Sequence, residues 1–588
     1  MGFQNNNSHN NNRPRVNSQN GNKYHGGNGN RHPNNNGNKV ITHFATAPYN
    51  FVSYDNQNLL GPSSDKELYS GTIECTLKAL TPLLIAGATN DKDKDNENNG
   101  PKERDFFKLD NGKLVIPGSS LKGMIRTYIE ALSRSAISII NDNKVFYRNV
   151  TERGDSDYKR LGNFPKQGEK ILGGFIKQNG SKYKIYPADV HKVEDGERVN
   201  PQDRYKTGKF KGKENCYSFK RNSEEPLDVP AEVWKDFDTQ RKDAKNKLWD
   251  REERNLRSEN GGKIFYTVDP DDENKIIAIG SARYFRIGYK YKPKVLTLAE
   301  DCPARTYKND FALHLFGCTN QNEAYKGKVS IEPAYFDKST KKAEELTCIL
   351  GTPHASDLAH YLCQPNINKP KKNNARDLAN YNSRESALRG RKFYWHRDPE
   401  KNSDNKTINP KVFSLLKPIA KESETKFIVH LDKVNITELG VILKVLSNKS
   451  GHALKLGAGK AVGFGSVQIS ISKTNIIDIS KKYKSLKSRL NSLQNLKDDQ
   501  KESKEAEQNG LISQSIKAFE DYANIENGIP FNEQKYVKEL ETMTNFAKKP
   551  RNALTQNMKL RDGTPNFSDK VVLLDPIDVV KGNMKKNN

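Results

Sequence analysis

Four glycines within nine residues constrain this chain more than any other feature. Gly457, Gly459, Gly463 and Gly465 lie in the run Lys455-Leu-Gly-Ala-Gly-Lys-Ala-Val-Gly-Phe-Gly-Ser466. Before the run, Thr437 to Leu446 places Leu439, Ile442, Leu443 and Leu446 on one helical face, and after it Val467-Gln-Ile-Ser-Ile471 reads as a strand. Two familiar phosphate loops are excluded. A P-loop needs a hydroxyl after its Gly-Lys pair to bind magnesium, but Gly459-Lys460 is followed by Ala461 and the earlier glycine slot holds Leu454. A dinucleotide fingerprint opens a helix, whereas here Gly463 comes one residue late and a strand follows. What remains is a loop whose glycines let the backbone approach a ligand and aim N–H groups at phosphates, with Lys455 and Lys460 adding charge. The competing reading is a tight helix-to-strand connection with no ligand.

A second strand-and-helix pair lies far upstream. Apolar and polar residues alternate from Ile73 to Leu77, so order is expected from near residue 70. A polar loop, Asn90 to Gly100, follows. Lys113-Leu-Val-Ile116 then reads as a short strand running into Pro117-Gly-Ser-Ser120 and a helix. Ser119 or Ser120 is placed to cap that helix, and Leu121, Met124, Ile125, Tyr128, Ile129 and Leu132 form its apolar face. Small residues at a helix start leave N–H donors open to an anion, which Lys122 and Arg126 would flank; an ordinary capped helix is the competing reading.

In order, the two ends read strand, helix, long insertion, strand, helix, glycine loop, strand. The expected fold class is α+β: a ferredoxin-like or RNA-recognition-motif-like βαββαβ module, interrupted by a β-rich insertion and followed by a helical extension. The expected boundaries are a tail and lead-in over 1–69, the module over 70–150 and 425–475, the insertion over 151–424 and the extension over 476–588. Within the extension, Leu486, Leu490, Leu493 and Leu496 form a stripe, and Ile516 and Phe519 belong to a second amphipathic piece suited to docking on a neighbouring subunit.

Charge narrows the partners. The chain carries a formal net charge of +26, with 34% hydrophobic and 29% charged residues. An excess of this size favours polyanions, because each neutralised phosphate releases condensed counterions. No segment approaches the roughly 20 apolar residues that span a bilayer, so membrane is not an expected partner and the cytoplasm is the expected compartment. The first 40 residues are rich in Asn and carry Arg13, Arg15, Lys23 and Arg31 with no acid, the composition of a solvated basic arm. None of the six cysteines sits in a C-x-x-C pair, so they read as reduced structural thiols.

The run Ile116-Pro-Gly-Ser-Ser-Leu-Lys-Gly-Met-Ile-Arg126 resembles the N-terminal signature of RAMP backbone subunits from type III CRISPR effectors, and Gly457 to Val467 resembles their C-terminal glycine-rich loop. Leu315-Phe-Gly317 leading to Gly327-Lys-Val-Ser330, Leu388-Arg-Gly-Arg-Lys-Phe-Tyr-Trp395 and Glu438-Leu-Gly440 look like pieces of a large single-chain RAMP family with a long insertion. The resemblance lies in patches between residues 71 and 471, and it implies a subunit that grips guide (CRISPR) RNA by its backbone, with target RNA and other effector subunits as partners. Carried over by position, Ser119, Ser120, Lys122 and Arg126 would face phosphates, as would Gly457, Gly459, Lys460, Gly463 and Gly465. Arg389, Arg391 and Lys392 stand beside Phe393, Tyr394 and Trp395, a mixture of cation and ring that suits a nucleotide; the competing reading is a strand with alternating core aromatics.

Many such subunits cut target RNA with a divalent metal held by an aspartate upstream of the first signature. Asp105 is the best-placed acid here and Asp95 the second. RNA binding itself requires no cofactor, and Mg2+ or Mn2+ enters only with cleavage. Two alternatives stand beside this reading. One is a guide-processing endonuclease that works without metal through histidine, for which His314, His354, His396, His430 and His452 are available. The other is a general RNA-binding module, although no aromatic signature of that kind is present.

Overall fold

Alternation along Leu68–Ala79 (β1) sends Ile73, Cys75, Leu77 and Ala79 to one face, where all four are fully buried. Two helices cover that face. Gly118–Leu132 (α1) packs through Leu121, Met124, Ile125, Tyr128, Ile129 and Leu132, the stripe expected from its spacing. The computed structural model describes residues 45–87, 102–137, 140, 143–148, 171–207, 215–244, 253–269, 271–319, 324–350, 355–364, 378–400, 413–482, 498–524, 528–551, 553–556 and 572–581. All of them fall in one unit, His43–Asn588.

The remaining pieces of the module follow in chain order: Val329–Ile331 (β2), Glu424–Asn435 (β3), Ile436–Leu446 (α2) and Ser466–Asp478 (β4). The sheet runs β2-β3-β1-β4, with the short strand Leu454–Lys455 beyond β4. Every neighbouring pair is antiparallel. A βαββαβ chain adopts this order when each β-α-β unit leaves room for one strand between its own two. The start of α2 is set by a capping box: Asn435 accepts from the Glu438 N–H at 2.8 Å, and Glu438 accepts from the Asn435 N–H at 2.9 Å. By contrast, α1 begins at Gly118 after Pro117 with no side-chain cap, so neither Ser119 nor Ser120 takes the capping role expected of it. Gly118 is needed for another reason. A Cβ there would lie 2.1 Å from the carbonyl oxygen of Ile331, so glycine lets the helix start press against β2.

The expected insertion, residues 151–424, is not one body. Seven strands between Ile171 and Gly280 form a separate sheet, with the helix Ala231–Ala244 on one side and an apolar cluster on each face. After it the chain returns to the main core. Phe311, Leu315, Phe336, Trp395 and Leu416 pack there, and β2 itself comes from this stretch. Order also begins before residue 70: the strand Tyr49–Ser53 pairs with Gly390–Tyr394. The C-terminal extension belongs to the fold as well. Helix Asp498–Asn524 (α3) lies on α2, with Ser515, Phe519 and Ala523 buried, and Gly440 provides the contact point. A Cβ on Gly440 would stand 2.0 Å from the Ser515 carbonyl oxygen. Where a neighbouring subunit was the expected dock, the partner of this helix is the chain's own module. Leu486, Leu490, Leu493 and Leu496 lie outside the described residues.

Candidate nucleic-acid interface

Gly390–Tyr394 is a strand, so its side chains alternate between two environments. Arg391 turns inward. Its guanidinium donates to Glu130 Oε2 at 3.1 Å and to the Ser135 carbonyl, and it lies over the Tyr54 ring. Arg389, just before the strand, is also buried; it donates to the Leu573 carbonyl and to Asp575 Oδ1 at 3.0 Å. Both arginines were expected at RNA. The structure instead gives their charges to partners inside the protein, because each is desolvated and needs a carboxylate and a carbonyl to offset that cost. Phe393 and Trp395 are core residues.

Lys392 and Tyr394 take the other face and are half-buried. Lys392 Nζ sits 3.6 Å from the Tyr49 ring centroid, donates to the Tyr361 hydroxyl at 2.8 Å and stands 5.5 Å from the Tyr394 ring. Burial pulls the Lys392 pKa down to about 8. From the glycine loop, Lys460 Nζ reaches the same Tyr394 ring at 5.7 Å. Burial lowers its pKa as well. Two fragments far apart in sequence thus meet on one tyrosine.

The loop owes its shape to glycine. Gly457, Gly459, Gly463 and Gly465 have φ of 81°, 71°, 95° and 75°, a region that side chains with a Cβ rarely enter. Their close approaches are made to the chain itself and not to open space. A Cβ would meet the Leu84 carbonyl at Gly457, the Phe464 ring at Gly459, the Asp398 carbonyl at Gly463 and the Leu456 carbonyl at Gly465. Lys455 also turns away from the surface, donating from Nζ to the Phe464 carbonyl at 2.9 Å. Burial, then the nearby charges of Lys460, Arg397 and Lys549, hold its pKa well below the usual lysine range. The glycines therefore build the loop, and half-buried Lys460 is the more accessible of its two lysines.

Sequence reading missed Arg397. Its guanidinium is buried, pairs with Glu400 at 2.6 Å and keeps Nη1 without a hydrogen-bond partner among the described residues. It adds positive charge next to the glycine loop, where Glu400 N–H donates to the Val462 carbonyl. Its place three residues beyond the aromatic strand was the available signal.

On α1, Ser119 is exposed and Ser120 half-buried. Lys122 and Arg126 lie over the Phe316 ring at 5.8 and 5.6 Å. Arg126 is tied by Nε to Glu130 at 2.7 Å, within the same ion-pair group as Arg391.

Asp105 ends a short strand paired in parallel with Phe413–Lys417, and its side chain is 56% exposed. Lys417 lies 4.0 Å away and also pairs with Glu103 at 2.6 Å. Two exposed carboxylates that share a lysine are a poor donor set for a divalent cation. Asp95 lies outside the described residues. Among the described residues no group of three or more His, Cys, Asp or Glu could hold a metal, all six cysteines are free thiols, and no helix is long and apolar enough to cross a membrane. His396 is fully engaged, with Ser466 Oγ at 2.9 Å and the Ala453 carbonyl at 3.1 Å. Burial pushes its pKa far down. The open face of the main sheet carries Glu74, Thr76 and Lys78 of β1 with Lys426 and His430 of β3, while the aromatic residues Tyr69 and Phe427 are buried. That face is not the ring-bearing platform of an ordinary RNA-recognition motif.

A family model described as the RAMP superfamily matches residues 76–468. A search of curated proteins finds no match. Among solved structures, the chain is similar to one described as the type III-B Cmr-beta bound to cognate target RNA, with 9% identity and a TM-score of 0.19 over 68% of this chain and 97% of that one. It is also similar to Csc2 of Thermofilum pendens, with 10% identity and a TM-score of 0.22 over 83% of this chain and 94% of that one.

Proposed function

The chain belongs to the RAMP superfamily, and from that premise we propose that it binds the guide RNA of a type III CRISPR effector as a subunit of the ribonucleoprotein. The observation that carries this reading is the meeting of Lys392 and Lys460 on the Tyr394 ring. A ring flanked by two cations takes a base or ribose on its face and phosphates on either side, without reading sequence. Both lysines are partly desolvated, so a phosphate compensates charges that burial has stripped of water. The net charge of +26 supplies the long-range attraction.

No cleavage step is assigned. Asp105 stands next to a lysine, and among the described residues no histidine borders the Tyr394 cluster in general-base geometry; His360, which touches Tyr49 of the cluster, lies inward, accepting from or donating to the Tyr49 hydroxyl at 2.9 Å. Target RNA and other effector subunits are the further partners of this reading.

The test is single-stranded RNA binding by the full chain, comparing wild type with the Lys392→Ala/Lys460→Ala pair across a salt series. Loss of two phosphate contacts on a single strand lowers the slope of log affinity against log salt by about 1.4, and affinity falls by roughly tenfold or more. A pair variant that binds with unchanged affinity and slope contradicts the assignment.

A further inference from the structure

The sheet between Ile171 and Gly280 carries a cavity that the Tyr394 cluster does not involve. It has a volume of about 530 Å³ and opens between the strand Lys182–Lys192, the helix Ala231–Ala244 and the turn around Leu256. That volume falls in the range of small-ligand sites, roughly 300–1,000 Å³. On its wall Tyr183 and Trp234 lie face to face, with centroids 3.7 Å apart and planes 17° from parallel. Aromatic pairs favour offset-stacked or edge-to-face packing; this stacked pair is half-buried and lines the cavity, where it presents a flat surface on which a planar ring can stack.

Charge around the rings is unbalanced. Arg241 pairs with Asp238 at 2.5 Å and with Glu253 at 2.7 Å, and Lys242 pairs with Asp238 at 2.6 Å. These contacts tie the helix to the turn and use both carboxylates of the cavity. Arg254 and Arg257 also line it, and among the described residues neither has a carboxylate partner; Arg257 donates from Nε only to the Gln178 side chain, at 3.4 Å. Stacked rings beside two guanidinium groups that pair with no carboxylate among the described residues are complementary to a nucleotide, whose base is flat and whose phosphate is anionic.

We propose that this cavity is a second RNA contact, which holds one nucleotide of a single strand with its base on the Tyr183–Trp234 pair and its phosphate on Arg254 and Arg257. The inference rests on the RNA-binding reading above but on none of the same residues. It makes the inserted sheet a working part of the RNA path. The stack gives the site affinity without sequence choice, since every base offers a π-face.

The experiment is photo-crosslinking of the full chain to thiouridine-substituted single-stranded RNA, followed by mapping of the modified peptides. Adducts are expected at Tyr183 or Trp234 as well as beside Tyr394. The Arg254→Glu/Arg257→Glu pair, two exposed residues whose exchange leaves the core intact, should cut the Tyr183 and Trp234 adducts by roughly tenfold or more while those beside Tyr394 persist. Adducts confined to the Tyr394 region overturn this inference and leave the first reading standing. Equal adduct yields in the charge-reversed variant also overturn it. No adduct at either place overturns both readings.

Discussion

Arg391→Ala separates a structural arginine from an RNA-binding one. In the folded chain Arg391 donates to Glu130 and to the Ser135 carbonyl, in a site where all three groups are buried. Breaking a buried ion pair by removing one partner costs about 3–5 kcal/mol, because the other charge is left uncompensated. Glu130 keeps a second cation, Arg126, at 2.7 Å, which places the ionic part near the low end. The Ser135 carbonyl loses a charged donor, an additional cost of about 1 kcal/mol. The sum is a destabilisation of about 4 kcal/mol, or a urea midpoint lowered by on the order of 1 M for a slope near 3 kcal/mol/M. Urea unfolding followed by tryptophan fluorescence, to which Trp395 contributes from its buried place one residue beyond the same strand, reads this loss. RNA affinity of the folded variant, measured well below its midpoint, should equal that of wild type. Unchanged stability combined with weakened RNA binding would instead place Arg391 at the RNA interface.

Three further outcomes are expected. Gly440→Ala forces a Cβ to within 2.0 Å of the Ser515 carbonyl, so α3 must shift off α2; a loss of about 1–3 kcal/mol and faster proteolysis of the C-terminal helices should follow, and an unaltered digestion pattern would count against the docking. RNA binding should weaken as pH rises through about 8, because Lys392 loses its proton there and a bound phosphate favours the protonated form; Lys392→Arg, always charged, should flatten that profile in binding titrations. Lys455 is protonated more readily in the unfolded chain than in the folded one, so its burial makes stability rise with pH between its depressed folded value and the ordinary lysine value; Lys455→Met should remove that rise in pH-dependent unfolding and leave RNA affinity unchanged.

What the sequence discloses here follows from the range of the interactions. The faces of α1 and α2 and the alternation of β1 are local patterns, and each is visible in a window of a dozen residues. The glycine loop is equally local, since four positive-φ positions demand four glycines. Strand β2 is different. It has three residues, too few for periodicity, and its place is set by pairing with β3 almost a hundred residues later. The inward turn of Arg389 and Arg391 was hidden for the same reason. Their carboxylate partners, Asp575 and Glu130, lie 186 and 261 residues away, and a basic strand with alternating rings reads alike whether its cations face RNA or buried acids. The sorting that matters, Lys392 outward with Lys460 and the arginines inward, is a property of the tertiary fold.

RNA that travels with the protein decides whether this chain holds a guide: the protein is purified from the cells that produce it, and the bound RNA is extracted and sequenced. Short RNAs that share one repeat-derived end and carry different spacers are expected. Heterogeneous cellular RNA, or none, would contradict guide binding.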